Sequence, residues 1–134
     1  MRSSATPLHP GLSRVISETG HTDVIVVSDA GLPIPVGSER IDLAFRPGMP
    51  SFIDVLDTVL GELAVEGATA TSEMAEQNPE VFALLSSRLA AIGVELELVP
   101  HVTFKERMRP ARAFVRSGEF SPYANVILHA GVPY

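Results

Sequence analysis

The sequence predicts an α/β domain in which helices layer against a sheet. Three observations carry that expectation. Asp23-Val-Ile-Val-Val-Ser28 is a β-branched run bounded by polar residues, the mark of a strand covered on both faces. Ser51 opens a segment whose Phe52, Val55, Leu56, Val59, Leu60 and Leu63 share one helical face. Apolar strands and helical stretches then alternate towards the end of the chain, as they do in layered α/β domains.

In chain order, Pro10 opens a short helix carrying Leu12, Val15 and Ile16, and Gly20 is expected to close it in the left-handed conformation. The strand at 23–28 follows. Residues 29–40 hold prolines and glycines with little periodicity and read as a loop. Ile41-Asp-Leu-Ala-Phe45 alternates as a second short strand, and Arg46-Pro-Gly-Met-Pro50 is a turn. After the Ser51-capped helix, Val65 to Thr71 reads as a strand of small residues. Asn78-Pro79-Glu80 places a capping Asn, a first-position Pro and an acid at a positive helix end, so a helix starts there. Gly93 ends it. Val94-Glu-Leu-Glu-Leu-Val99 alternates as a half-exposed strand, and His101 to Met108 reads as a short helix. Ala113 to Arg116 and Asn125 to His129 are further strands, joined by residues 117–123.

The 134 residues suit one domain spanning 1–134, with no repeat or linker. Hydrophobic residues make up 46% and charged residues 19%, the latter below the roughly 25% usual for soluble domains. The mean hydropathy of +0.23 excludes a disordered chain. No apolar run approaches the roughly 20 residues of a membrane span, so no membrane partner is expected. The apolar surplus is expected to be buried against copies of the same chain. Sixteen acids against ten bases give a net charge of −6, the wrong sign for a nucleic-acid binder. The absence of cysteine excludes disulfides, thiolate catalysis and thiolate metal sites. Residues 1–11 hold no apolar core of a secretory signal, which makes the cytoplasm the expected compartment. Lys105, Arg107, Arg109, Arg112 and Arg116 form a basic stretch without an aromatic ladder, expected to be a solvated face or a source of intersubunit salt bridges.

Two segments are rich in groups that do chemistry. The first runs from Gly20-His21-Thr22-Asp23 through the strand to Ser28-Asp29-Ala30-Gly31-Leu32-Pro33-Ile34-Pro35. Asp29 sits just beyond the carboxyl end of a strand, where α/β sheets place ligands, and the stiff Gly-Pro loop after it suits a small-molecule pocket. A plain strand-to-loop turn is the other reading. His21 is either an acid/base or a residue that bonds the exposed carbonyls of the preceding helix. A six-residue strand is roughly 20 Å long, so His21 and Asp29 do not meet within one subunit if that strand is straight. They meet only across an interface or if the chain folds back. His21, Asp23 and Asp29 match no metal-ligand spacing, so no metal site is expected.

The second segment is Arg116-Ser-Gly-Glu-Phe-Ser-Pro-Tyr-Ala-Asn125. Tyr, Asn and Ser offer uncharged donors and acceptors that grip sugar hydroxyls, or else form a Ser-Pro turn anchored by Tyr123. His101, after Pro100 at a strand end, is a second candidate ligand-binding imidazole. His9 and His129 fit surface or packing roles. Phosphate-loop, dinucleotide and serine-hydrolase motifs are absent.

Together these segments, with Arg40-Ile41-Asp42, Gly48-Met49-Pro50-Ser51-Phe52 and His101-Val-Thr-Phe104-Lys105, resemble the D-ribose pyranase and L-fucose mutarotase family. The pieces fall in family order from about Leu12 to the end. Gly31-Leu-Pro-Ile-Pro35 and Ser121-Pro-Tyr-Ala-Asn125 favour the ribose branch. The resemblance implies a three-layer α/β/α sandwich with a mixed central sheet. It implies a cofactor-independent sugar isomerase that interconverts pyranose and furanose forms of D-ribose. By the same resemblance His21 is the proton donor, and Asp29, His101, Tyr123, Ala124 and Asn125 contact the sugar. The implied assembly is a homodecamer of stacked pentameric rings with pockets at subunit interfaces. The alternatives are a mutarotase for another monosaccharide such as L-fucose, a non-catalytic sugar-binding module, and a structural oligomer. Departures from the family pattern lie in the first ten residues, at Phe120 and at His129.

Overall fold

The computed structural model describes residues 1–3 and 6–134. In chain order the elements are α1 (Pro10–Glu18), β1 (Val24–Ser28), β2 (Arg40–Asp42), α2 (Phe52–Leu60), β3 (Val65–Thr71), α3 (Ser72–Gln77), α4 (Pro79–Ala91), β4 (Leu96–Val99), α5 (His101–Arg107), β5 (Ala113–Arg116) and β6 (Val126–Ala130). The strands form one sheet in the order β2-β5-β1-β6-β3-β4. Strand β6 runs antiparallel to both its neighbours, and every other pairing is parallel. The sheet is therefore mixed, with all strands but β6 ending at the same edge.

Alternation along the central strands explains why β1 reads as a continuous apolar run. Ile25, Val27, Ala113, Val115, Val126 and Leu128 point into a large core beneath α1 to α4. Val26, Phe114 and Ile127 point the other way, into a smaller core covered by α5 through Phe104 and Met108. Period-two side chains thus serve two apolar faces, and the molecule has three layers. Phe104 is fully buried and its ring stacks on His101 with centroids 6.4 Å apart. Phe104→Ala is expected to cost about 3–5 kcal/mol, seen as a lowered unfolding midpoint.

Several expectations need correction. Helix α1 ends at Thr19, whose N–H reaches the Ile16 carbonyl, and the left-handed residue beyond it is Thr22 (φ 73°), not Gly20. Gly93 does close α4 in the left-handed conformation (φ 71°). Asn78 gives α4 no side-chain cap. Its amide instead donates to the Ser121 hydroxyl (2.8 Å) and the Pro122 carbonyl (2.9 Å). Helix α3 was not foreseen: with six residues it is too short to show periodicity, and it is started by the Thr71 hydroxyl accepting from Met74 N–H. Strand β2 stops at Asp42, since the turn at 46–49 draws Phe45 to the Met49 carbonyl. Strand β4 begins only at Leu96, α5 stops one residue before Met108, and β6 is shifted by one residue to Val126–Ala130.

Three of the five residues of the basic stretch pair within the chain. Arg107 pairs with Glu97, Arg112 with Asp23, and Arg116 with Asp42. Of the residues before Pro10, Ser4 and Ala5 lie outside the described ones, and the rest form no strand. His9 caps α1, its Nδ1 accepting from Leu12 N–H at 3.2 Å, and His129 lies 3.1 Å from the Thr69 hydroxyl.

Candidate active site

The parallel strands all deliver their carboxyl ends to one edge of the sheet, and the reversal at β6 makes a gap there. Register places Val27 of β1 opposite Val126 of β6, so Asp29 leaves the sheet beside Asn125. Ser28 is paired with Arg116, which brings the loop after β5 to the same place, and β4 ends there at Val99, just before His101. A cavity of about 660 Å³ occupies this edge. It is lined by Asp29, His101, Tyr123 and Asn125 among others. This is the position that open α/β sheets give to ligands.

Each side chain is held by local chemistry. Asp29 Oδ1 accepts from the N–H groups of Gly31 (3.0 Å) and Leu32 (2.8 Å), an Asx turn. Asn125, almost fully buried, accepts from Asp29 N–H at 2.9 Å, and its amide lies 3.4 Å from Asp29 Oδ2. That last contact is long, and Oδ2 keeps a further lone pair with which to accept from a ligand. Tyr123 takes a left-handed conformation (φ 56°), and the Asn125 N–H closes the turn on its carbonyl at 2.8 Å. The His101 ring meets Tyr123 edge-on with centroids 5.2 Å apart. His101 Nδ1 is buried with no hydrogen-bond partner among the described residues.

Other polar groups at the cavity are committed to the fold. Glu119 accepts from the Phe52 N–H at 3.0 Å and from the Ser121 hydroxyl at 2.8 Å. Arg116 donates to the Ala30 carbonyl (3.1 Å) and to both Asp42 oxygens. Burial pushes the Asp42 carboxyl up, but the Ala44 N–H and Arg116 outweigh it and the net shift is downward.

Burial also pushes the Asp29 carboxyl above its ordinary range, and the Gly31 and Leu32 amides offset only part of this. A raised carboxyl means the folded state binds protons more tightly than the unfolded one. The stability it contributes is complete below the unfolded pKa and is lost as pH rises through the higher folded value. The unfolding midpoint of Asp29→Asn is therefore expected to lack a decline with rising pH that the wild-type chain shows in that window.

The structure brings together Asp29, His101, Tyr123 and Asn125 at the cavity. Ala124 lies between the last two with its side chain in the large core, so only its backbone is available. His21 is not at the cavity. It lies before β1, at the opposite edge of the sheet, with Nε2 3.1 Å from Glu66 Oε2 rather than on helix carbonyls. His21, Asp23 and Asp29 do not converge, and among the described residues no group of three or more His, Asp or Glu side chains is placed to hold a metal ion.

Sequence reasoning missed Gln77 and Glu73. Gln77 ends α3 and lines the cavity. Glu73 accepts from His101 N–H through both oxygens (3.2 and 2.9 Å), and that bond holds its carboxyl below the ordinary range. Both belong to the unforeseen helix. An acid at the first turn after Thr71 was the one signal that could have found it.

The chain belongs to the RbsD / FucU transport protein family, whose model matches residues 2–133. Within it, the chain is 52% identical over 125 residues to the D-ribose pyranase of Laribacter hongkongensis, covering 93% of this chain and 94% of that one. It is 53% identical over 123 residues to D-ribose pyranase 1 of Rubrobacter xylanophilus, covering 92% of each. The structure of Bacillus subtilis RbsD complexed with D-ribose matches with a TM-score of 0.93 and 39% identity, covering 99% of this chain and 100% of that chain. The fucose mutarotase of Streptococcus pneumoniae shares the fold, with a TM-score of 0.81 at 24% identity over 98% and 99% of the two chains.

Proposed function

We propose that this chain is a sugar isomerase that interconverts the pyranose and furanose forms of D-ribose, with His21 as acid and base. The observation that carries the sugar site is one cavity lined together by Asp29, His101, Tyr123 and Asn125. A carboxylate accepts sugar hydroxyls, an imidazole nitrogen holds another, and Asn125 fixes the carboxylate. Relatives about half identical to this chain bear the name D-ribose pyranase, and a structural neighbour was solved with D-ribose.

Ring exchange breaks the bond between C1 and the ring oxygen. The anomeric hydroxyl gives up its proton, the ring oxygen takes one, and the aldehyde forms. A different hydroxyl then attacks C1 with the proton movements reversed. Atoms and protons balance, and nothing is oxidised. Histidine titrates near neutral pH and serves such a step in both directions. Asp29, His101, Tyr123 and Asn125 hold the open chain so that the second hydroxyl reaches C1, a positioning effect.

Strand β1 alone spans about 17 Å between His21 and Asp29, so one chain does not bring both to a single sugar. In our reading the histidine at each cavity comes from a neighbouring copy. Exposed Phe120, 71% accessible in the cavity lining, supports burial of that rim by another subunit. We take the assembly to be the cytoplasmic homodecamer of stacked pentameric rings that the resemblance implies.

The test is NMR saturation transfer on D-ribose at equilibrium with catalytic amounts of protein. Faster exchange between pyranose and furanose signals is expected. Acceleration with L-fucose alone would move the chain to a mutarotase role, and tight ribose binding without acceleration would make it a binding module.

A further inference from the structure

Strand β3 carries an irregularity where it meets β6. Val65 pairs with Ala130 and Gly67 with the adjacent His129, so Glu66 is an extra residue outside the ladder. Such bulges re-aim a side chain, and they cluster near active sites. Glu66 is aimed at His21, with 3.1 Å between Oε2 and Nε2. Two other features serve the same contact. A Cβ at Gly131 would lie 3.1 Å from Glu66 Cβ and 3.3 Å from Oε2, so glycine there leaves the carboxylate its place. On the other side, the turn bearing His21 is clamped by Thr22 N–H on the Ala130 carbonyl (3.0 Å) and Gly20 N–H on Asp23 Oδ2 (2.9 Å). That clamp holds Thr22, a β-branched residue, at φ 73°, a conformation that persists only where the surroundings impose it.

A bulge, a cleared space and a strained turn converge on one exposed His–carboxylate pair. An isolated surface pair of this kind contributes little to stability, so the pair is not explained by folding. We propose that Glu66 is a positioning residue for His21. Its carboxylate accepts the Nε2–H, fixes ring orientation and tautomer, and leaves Nδ1 as the atom that takes and returns the sugar proton. A carboxylate only accepts hydrogen bonds, so the proton of the neutral ring is drawn to Nε2. The inference rests on the reading of His21 as the acid and base.

The test compares wild type, Glu66→Gln and His21→Ala by saturation-transfer kinetics on D-ribose and by NMR of ¹⁵N-labelled histidine. His21→Ala identifies the His21 signals. Glutamine keeps the shape of Glu66 but both donates and accepts, so it no longer selects a tautomer. The expected result is a wild-type ring protonated at Nε2, a mixed tautomer in Glu66→Gln, and kcat lowered about tenfold or more with KM unchanged. Unchanged kcat and tautomer in Glu66→Gln, beside an inactive His21→Ala, would overturn the role of Glu66 alone. An active His21→Ala would overturn it together with the assignment of His21.

Discussion

Replacing His21 with alanine is expected to slow ribose ring exchange by about 10²- to 10⁴-fold, the range over which a positioned acid/base contributes. The fold should survive. His21 is half exposed, and among the described residues its side-chain partner is Glu66. Ribose affinity should change little, because the groups that grip the sugar lie at the other edge of the sheet. A loss of kcat without a loss of binding therefore separates proton transfer from recognition. Saturation-transfer rates and ribose titrations of the variant, measured side by side, check this. Full activity would remove His21 from the chemistry.

Asp29→Asn is expected to act in the opposite way. Losing the charged acceptor should weaken ribose binding about 10- to 100-fold, the value of hydrogen bonds to an ionised group. The loop should stay in place, since an amide oxygen still accepts from the Gly31 and Leu32 N–H groups. The buried charge also disappears, so folding should not suffer. In the wild type, burial raises the Asp29 carboxyl, and on the proposed reading the ionised form binds the sugar. Ribose affinity should consequently fall on acidification at a higher pH than an ordinary aspartate would set. Stability moves the other way over the same window, because the protonated form is favoured in the folded state. Titrations of ribose and unfolding midpoints against pH, in both proteins, test the two trends together. Equal affinity in Asp29→Asn would remove the carboxylate from the site.

Much of this was legible in the sequence, and the reasons are local. The β-branched run of β1, the Ser51 cap and the Asn78-Pro79 start declare themselves within a few residues. The distance between His21 and Asp29 was legible too, since strand length is fixed by the backbone. What stayed hidden depends on pairing between distant segments. That β6 lies antiparallel between β1 and β3 decides that Asp29 and Asn125 share a hydrogen bond, and no local pattern states it. The bulge at Glu66 exists only relative to β6. Helix α3, which brings Gln77 to the cavity and Glu73 to His101, is too short to repeat an apolar face. Asn78 misled because its side chain serves the loop at 121–122 instead of its own helix. The resemblance to a family supplied what local chemistry left open: the sugar, and the proposal that a remote histidine serves the cavity.

On the proposed reading, one chain holds the sugar while another supplies the proton donor. The most direct test unfolds His21→Ala and Asp29→Asn chains together in equal amounts, refolds them as mixed oligomers, and measures ribose exchange well below KM. Each cavity would need an intact pocket from a His21→Ala chain and an intact histidine from an Asp29→Asn neighbour. Random assembly provides that pair at about one quarter of the sites, so roughly a quarter of the wild-type rate should return although each parent is nearly inactive. A rate no greater than the average of the two parents would contradict the shared site and return the chemistry to groups within a single chain.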